Sequence, residues 1–265
     1  MDTQIWDFGQ FFDHVAVLDE HGNCMTYGEL AEENNRFVEK IKKRSLIFIL
    51  CTNTIGSLIG YTGCIHNQIV PLLLAKNLNR ELLDSLMDVY KPDYLWIPKE
   101  LSLEFGDFSV EHEAFGYLLL ETGYKQEYVL HDELCLLLTT SGSTGSPKLV
   151  RQSYKNVLSN AQSIVQYLEL DALEKPITTL PMNYTYGLSI INSHLLTGAT
   201  LLFTEKGLMQ REFWQFFKEA GATSFGGVPY TYEMLDKLRF FKMELPSLRS
   251  MTQAGGKLQP ELHKK

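Results

Sequence analysis

Apolar residues along this chain fall into short uniform runs, separated by stretches in which they recur every three or four positions. Between Gly28 and Ile41 the residues Leu30, Ala31, Phe37, Val38 and Ile41 follow the helical period, and the run LIFILC behind them is too short and too uniformly apolar for a surface helix. The spacing predicts a helix followed by a buried strand. The alternation then repeats. A Gly-punctuated segment from Thr54 to Ile65 leads into IVPLLL, a helix around Leu82 to Val89 leads into DYLWIP after the Lys91-Pro92 break, and CLLLTT is a further buried strand. Ser153 is placed to cap a helix carrying Val157, Ala161, Ile164, Val165 and Leu168 on one face, and Gly198 precedes the strand ATLLF. Phe213, Phe216 and Phe217 form one stripe of a helix over 209–220 ended by Gly221, a pattern of core more than of binding surface. After TSFGGV a helix begins at Pro229, and RSMTQAG reads as a last strand.

Uniform apolar runs joined by helix-length segments imply an α/β fold of largely parallel sheets flanked by helices. Sheets of this kind bind ligands at the carboxyl ends of their strands. The polar stretch 99–114 is the candidate for a long surface excursion.

Composition narrows the function. The 265 residues are 45% apolar and 21% charged, enough to bury a sizeable core without disulfides or metals. A net charge of −8 and the lack of any run of five or more basic residues argue against nucleic acid or an anionic lipid surface as partner. The start MDTQIWDFGQ is acidic and aromatic where a signal peptide is basic and then apolar, and no apolar stretch approaches the length of a membrane span. A cytoplasmic protein is expected. Cys24, Cys51, Cys64 and Cys135 form no CxxC pair and read as core thiols in a reducing compartment. The cluster His131, Asp132, Glu133 and Cys135 lacks a second ligand group at metal spacing, and no GxSxG elbow is present.

The segment that carries chemistry is TTSGSTGSPK, Thr139 to Lys148, directly after the strand CLLL. Its hydroxyls and unhindered N–H groups make a cradle for an anion, Gly142 and Gly145 let the backbone approach phosphate oxygens, and Lys148 supplies compensating charge. A solvated flexible loop has the same composition. The position between a buried strand and a capped helix weighs against a linker. It is not a Walker A loop, because Ser146 and Pro147 separate Gly145 from the lysine, and Pro147 favours an extended Ser146. The loop is therefore expected to join two strands.

TTSGSTGSPK resembles the signature loop of the AMP-forming adenylating enzymes, the superfamily of acyl-CoA synthetases, peptide-synthetase adenylation domains and luciferases, at every fixed position of [ST]-S-G-[ST]-T-G-x-P-K. MTYGEL, CIHNQIVPLL, PMNYTYGL, VPYTYEML and TQAGGKL resemble further elements of that superfamily in the same order, from about Thr26 to Leu258. The resemblance implies a two-step reaction in which a carboxylate attacks the α-phosphorus of ATP and a thiol, of coenzyme A or of a carrier protein, then takes the acyl group. It implies that Thr140, Ser141, Gly142, Ser143, Thr144, Gly145 and Lys148 hold the phosphates together with Mg²⁺. It implies that adenine packs on the strand end at Gly255 and Gly256, and that Tyr184 and Gly187 in PMNYTYGL lie beside the acyl pocket, where Tyr186, Asn183 and Phe225 either line the pocket or simply pack. Tyr184 stands where acyl-CoA synthetases usually carry His, and is either an aromatic gate or a core tyrosine.

The superfamily's Mg²⁺-binding Glu, ribose-binding Asp and mobile C-terminal Lys have no counterpart before PELHKK. Residues 1–265 are thus expected to be the AMP-binding N-terminal domain of the acyl-adenylate-forming fold, incomplete and without a C-terminal lid domain. Such a chain is expected to be inactive by itself and to associate with itself. A nucleotide-binding remnant without catalysis, or an adenylation domain that loads a carrier protein, are the alternative readings.

Overall fold

The structure, a computed structural model, describes residues 4–125, 128–139 and 148–264. Its largest element is a seven-stranded mixed sheet. Strands β1 (Val15–Asp19) and β2 (Cys24–Thr26) precede it and belong to a second sheet. Helix α1 (Tyr27–Val38) starts in a capping box, in which Thr26 Oγ1 accepts from the Glu29 N–H at 3.1 Å and Glu29 Oε2 accepts from the Thr26 N–H at 2.7 Å. There follow β3 (Leu46–Cys51), α2 (Ile55–His66), β4 (Val70–Ala75), α3 (Arg80–Tyr90) and β5 (Tyr94–Pro98). After a 3-10 helix at Lys99–Phe105 come β6 (Ser109–Ala114), β7 (Tyr117–Glu121), β8 (Leu134–Thr139) and β9 (Leu149–Ser153). The strand order is β6-β7-β5-β3-β4-β8-β9. The centre, β5-β3-β4-β8, runs parallel, and both edges are closed by antiparallel pairs.

The uniform run in β3 is explained by two cores. Ile47 and Ile49 face α1 and α2, while Leu46, Phe48 and Leu50 face α3 on the other side, so alternation buries every residue. The remaining chain forms α4 (Tyr154–Leu168), α5 (Thr185–Thr197), β10 (Leu201–Phe203), α6 (Arg211–Glu219), β11 (Ser224–Gly227), α7 (Pro229–Lys237), β12 (Ser250–Gln253) and α8 (Pro260–His263). Strand β1 pairs with β2 and β10, β11 pairs in parallel with β12, and single bridges from Pro176 to Ser224 and from Ile177 to Leu202 connect the two groups. Helices α1, α2, α4 and α5 share one core between the two sheets, and the aromatic stripe of α6 packs with Phe225 and Phe240 on the far face of the second.

Two expectations change. The stretch 99–114 is not an excursion: its second half is the edge strand β6, whose solvent-facing position tolerates polar residues that hide a strand pattern. Cys51, Cys64 and Cys135 are buried thiols, whereas Cys24, on the short β2, is exposed.

Helix α2 lies on Trp96 through its glycines. Trp96 Nε1 donates to the Gly56 carbonyl at 2.8 Å, and a Cβ at Gly60 would run into the indole ring. Phe37 and Tyr117 hold that ring from other sides, with centroids at 4.7 and 5.3 Å. Gly60→Ala is therefore expected to lower the unfolding free energy by about 1–3 kcal/mol through overpacking, read as a lower denaturant midpoint at unchanged slope. An unchanged midpoint would contradict this packing.

Candidate functional site

Strands β8 and β9 are antiparallel, with Thr139 opposite Leu149, so the segment between them leaves and returns at one edge of the sheet. This agrees with the expectation that the loop joins two strands. The sequence assignments on Thr140, Ser141, Gly142, Ser143, Thr144 and Gly145 lie outside the described residues. Lys148 is exposed immediately before β9.

The turn after β12 comes to the same region. Gly255 has φ +83°, a left-handed conformation suited to glycine, and a Cβ there would stand 3.1 Å from the Tyr184 hydroxyl and 3.2 Å from Val228 Cγ1. A Cβ on Gly256 would stand 3.1 Å from the Pro229 ring. Tyr184 precedes α5 and is 38% exposed, so it is not a core tyrosine. The segment before it is pinned from below: Asn53 Nδ2 donates to the Leu180 carbonyl at 3.1 Å and Ser57 Oγ to Met182 Sδ at 2.9 Å. Gly187 is buried with its α-carbon against the Pro181 carbonyl, where a Cβ would clash. Its lack of a side chain serves the turn into the helix.

Two cavities meet along α5. The first, about 500 Å³, is bounded by β8 at Leu136 and Leu138, by Asn156 and Asn160 of α4, by Tyr184, and by Gly255. The second, about 660 Å³, runs between α4, α5 and the β11–β12 pair, and shares Tyr186, Ser189 and Ala254 with the first. Tyr186 donates to Thr252 Oγ1 at 2.8 Å across the junction. Phe225 both lines the second cavity and packs edge-on against Phe217 and Phe240 at 6.3 and 5.9 Å, and Asn183 is half-buried in the turn before α5. The α5 wall continues through Ser189, Ile190, Ser193 and His194, residues that the sequence reading did not single out. Their i, i+3, i+4, i+7, i+8 spacing after Tyr186 is the signal that a polar stripe faces one side of an otherwise apolar helix.

The sequence pattern of the AMP-binding family, described as "AMP-binding enzyme", matches residues 6–265. The chain belongs to this family. It is 29% identical over 156 residues to the acyl-CoA synthetase ALT10 of Alternaria alternata, covering 57% of this chain and 27% of that protein. It is 28% identical over 204 residues to the 2-succinylbenzoate–CoA ligase of Oceanobacillus iheyensis, covering 73% and 42%. The chain thus spans less than half the length of these curated relatives. The inhibitor-bound N-terminal domain of FACL13 from Mycobacterium tuberculosis superposes with a TM-score of 0.80 at 17% identity, over 97% of this chain and 69% of that one, which shows the fold.

Among the described residues of this member of the AMP-binding family there is no group of three or more His, Cys, Asp or Glu that could hold a metal ion. No helix among them is long and apolar enough to cross a membrane. Burial pushes the Tyr186 hydroxyl above its ordinary range, against the hydrogen bond to Thr252, so Tyr186 is a neutral hydrogen-bonding group at the junction. Burial also draws His66 and His194 below their usual value of 6.5, against hydrogen bonds to the Trp6 and Ile190 carbonyls and, for His194, the nearby Glu174.

A base whose native pKa lies below its unfolded value binds fewer protons when folded. Its contribution is complete above the unfolded value and is lost as the pH falls. The unfolding free energy is accordingly expected to drop between about pH 7 and about pH 5, and the double variant His66→Gln, His194→Gln to show a shallower drop. Identical pH slopes for parent and variant would contradict the burial argument.

Proposed function

We propose that this chain is the nucleotide-binding part of an acid–thiol ligase that activates a carboxylic acid as its acyl-adenylate. One observation supports the reading: the β8–β9 edge, the Gly255 turn and Tyr184 border one cleft, and a second cavity large enough for an acyl group adjoins it along α5, sharing Tyr186, Ser189 and Ala254. A carboxylate oxygen attacks the α-phosphorus of ATP, the bond from that phosphorus to the bridging oxygen breaks, and pyrophosphate leaves. A thiol sulfur then attacks the acyl carbonyl and AMP departs. The acceptor is coenzyme A or a carrier-protein thiol.

Within this scheme Thr140, Ser141, Gly142, Ser143, Thr144 and Gly145 donate to the departing phosphates, and Lys148 offsets their charge. The bare backbone at Gly255 and Gly256 takes one face of the adenine. Tyr184 stands between the nucleotide and the acyl chamber, with Gly187 shaping the turn that presents it. Mg²⁺ bound with the nucleotide would offset phosphate charge. A protein of this composition works in the cytoplasm, with a small carboxylic acid as partner and without nucleic acid. The 265-residue chain alone is expected to bind nucleotide without turnover, because the curated relatives extend well beyond the matched region. It is also expected to associate with itself, which its mass in solution reads.

Acid-dependent exchange of labelled pyrophosphate into ATP, measured on the enzyme that carries this chain, tests the proposal. Lys148→Ala and Thr144→Ala are each expected to lower kcat/KM about ten- to a hundredfold, since a charge-assisted contact contributes about 1.5–3 kcal/mol. Exchange that no acid supports would favour a nucleotide-binding remnant, and exchange unaffected in both variants would remove the phosphate role of the loop. Tyr184→Ala is expected to change the profile of accepted acids more than the KM for ATP. An unchanged profile with a raised ATP KM would place Tyr184 on the nucleotide side only.

A further inference from the structure

The second cavity runs along α5. Its wall from Tyr186 to His194 covers about 12 Å of helix rise. Strands β11 and β12 give it a direction: Ser224 pairs with Ser250 at their start and Gly227 with Gln253 at their end, next to the Gly255 turn. The near end, at Ala254 and Tyr186, adjoins the first cavity, which shares both residues. The far end lies at Pro176, which bridges to Ser224. His194 belongs to the same end, because the backbone of Thr200 that follows its helix bonds to Glu174, and Glu174 in turn accepts from Thr223. Between the two ends the walls include Ile164, Leu168, Leu170, Phe225 and Met251.

At that far end stand two polar atoms without partners among the described residues, His194 Nε2 and Ser224 Oγ. Both residues are more than nine-tenths buried, at 4% and 7% exposure. The tautomer of His194 follows from its other nitrogen. Nδ1 lies 2.7 Å from the Ile190 carbonyl, which can only accept, so Nδ1 carries the proton and Nε2 of the neutral ring presents a lone pair. Ser224 Oγ has a proton to give. A buried acceptor and a buried donor left open at one end of a cavity call for one neutral group that does both. The cavity lining contains no Lys, Arg, Asp or Glu, so a second carboxylate would meet no cation in the walls, and an ammonium, which only donates, could not accept from Ser224 Oγ.

We infer that His194 and Ser224 form a polar subsite at the end of the acyl chamber, selecting carboxylic acids that carry a hydroxyl group remote from the carboxylate. The hydroxyl donates to Nε2 and accepts from Oγ. The apolar walls between take the hydrocarbon that separates the two ends. This inference rests on the adenylation reading and adds the class of acid.

The test uses acyl-sulfamoyl adenosines, stable mimics of the adenylate, as pairs of graded chain length that differ only in a terminal hydroxyl. Binding to the full chain is measured by calorimetry, with AMP alone as reference. At the chain length that reaches His194 the hydroxyl-bearing member is expected to bind about tenfold tighter or better. Ser224→Ala and His194→Phe are each expected to bring the ratio within a pair toward one. Equal binding within every pair overturns the inference while leaving the adenylation reading intact, since AMP and both conjugates still bind. A preference that survives in Ser224→Ala, the variant least disturbing to the fold, overturns the assignment to these residues. Failure of AMP and every conjugate to bind overturns the adenylation reading, and this inference with it.

Discussion

Helix α5 must sit between two sheets while presenting one face to a cavity, and the rest of the site depends on how it is held there. Asn192 is the anchor. Its side-chain oxygen accepts from the Tyr61 hydroxyl at 2.9 Å, and its carbonyl accepts from Trp6 Nε1 at 3.1 Å, both in the main core. These bonds are buried, so losing either partner leaves a polar group without water. They fix the rotation of α5 about its axis, and that rotation decides that Ile191 and Leu195 enter the core while Tyr186, Ser189, Ser193 and His194 face the chamber. The start of the helix is fixed separately, by the Gly187 contact with Pro181 and the bonds from Asn53 and Ser57, and this sets where Tyr184 meets the Gly255 turn.

Much of this is legible in the sequence. LIFILC, VPLLLA and YLWIP were readable as buried strands because a parallel strand covered on both faces leaves no room for polar residues. Ser153 was readable as a cap because its hydroxyl does what the residue type suggests, accepting from the Asn156 N–H at 3.1 Å. SVEHEA was not readable as a strand, since an edge position removes the apolar constraint.

The site divides in the same way. The Ser/Thr/Gly loop after β8 stands out from residue types alone as a candidate anion cradle, and the Gly255-Gly256 turn from its resemblance to the family's strand end. Gly187 was assigned to the acyl pocket by resemblance, whereas its bare α-carbon meets the Pro181 backbone. Ser224 carries no signal, and His194 carries only its spacing after Tyr186. A histidine in an apolar helix and a serine at a strand start are unremarkable in sequence, and only the tertiary register brings them to one end of one cavity. Tyr184 shows a further limit: its side chain is defined by the Gly255 turn, some seventy residues away along the chain.

The central claim is that nucleotide and acid meet where the Gly255 turn, Tyr184 and the β8–β9 edge converge. Hydrogen exchange of the chain with and without AMP tests this most directly, because backbone amides report contact at each segment without requiring turnover. The account predicts slower exchange confined to the β8–β9 connection, the start of α5 and the residues after β12. Protection absent from all three segments, or concentrated instead around α3 and the outer face of the large sheet, would contradict it.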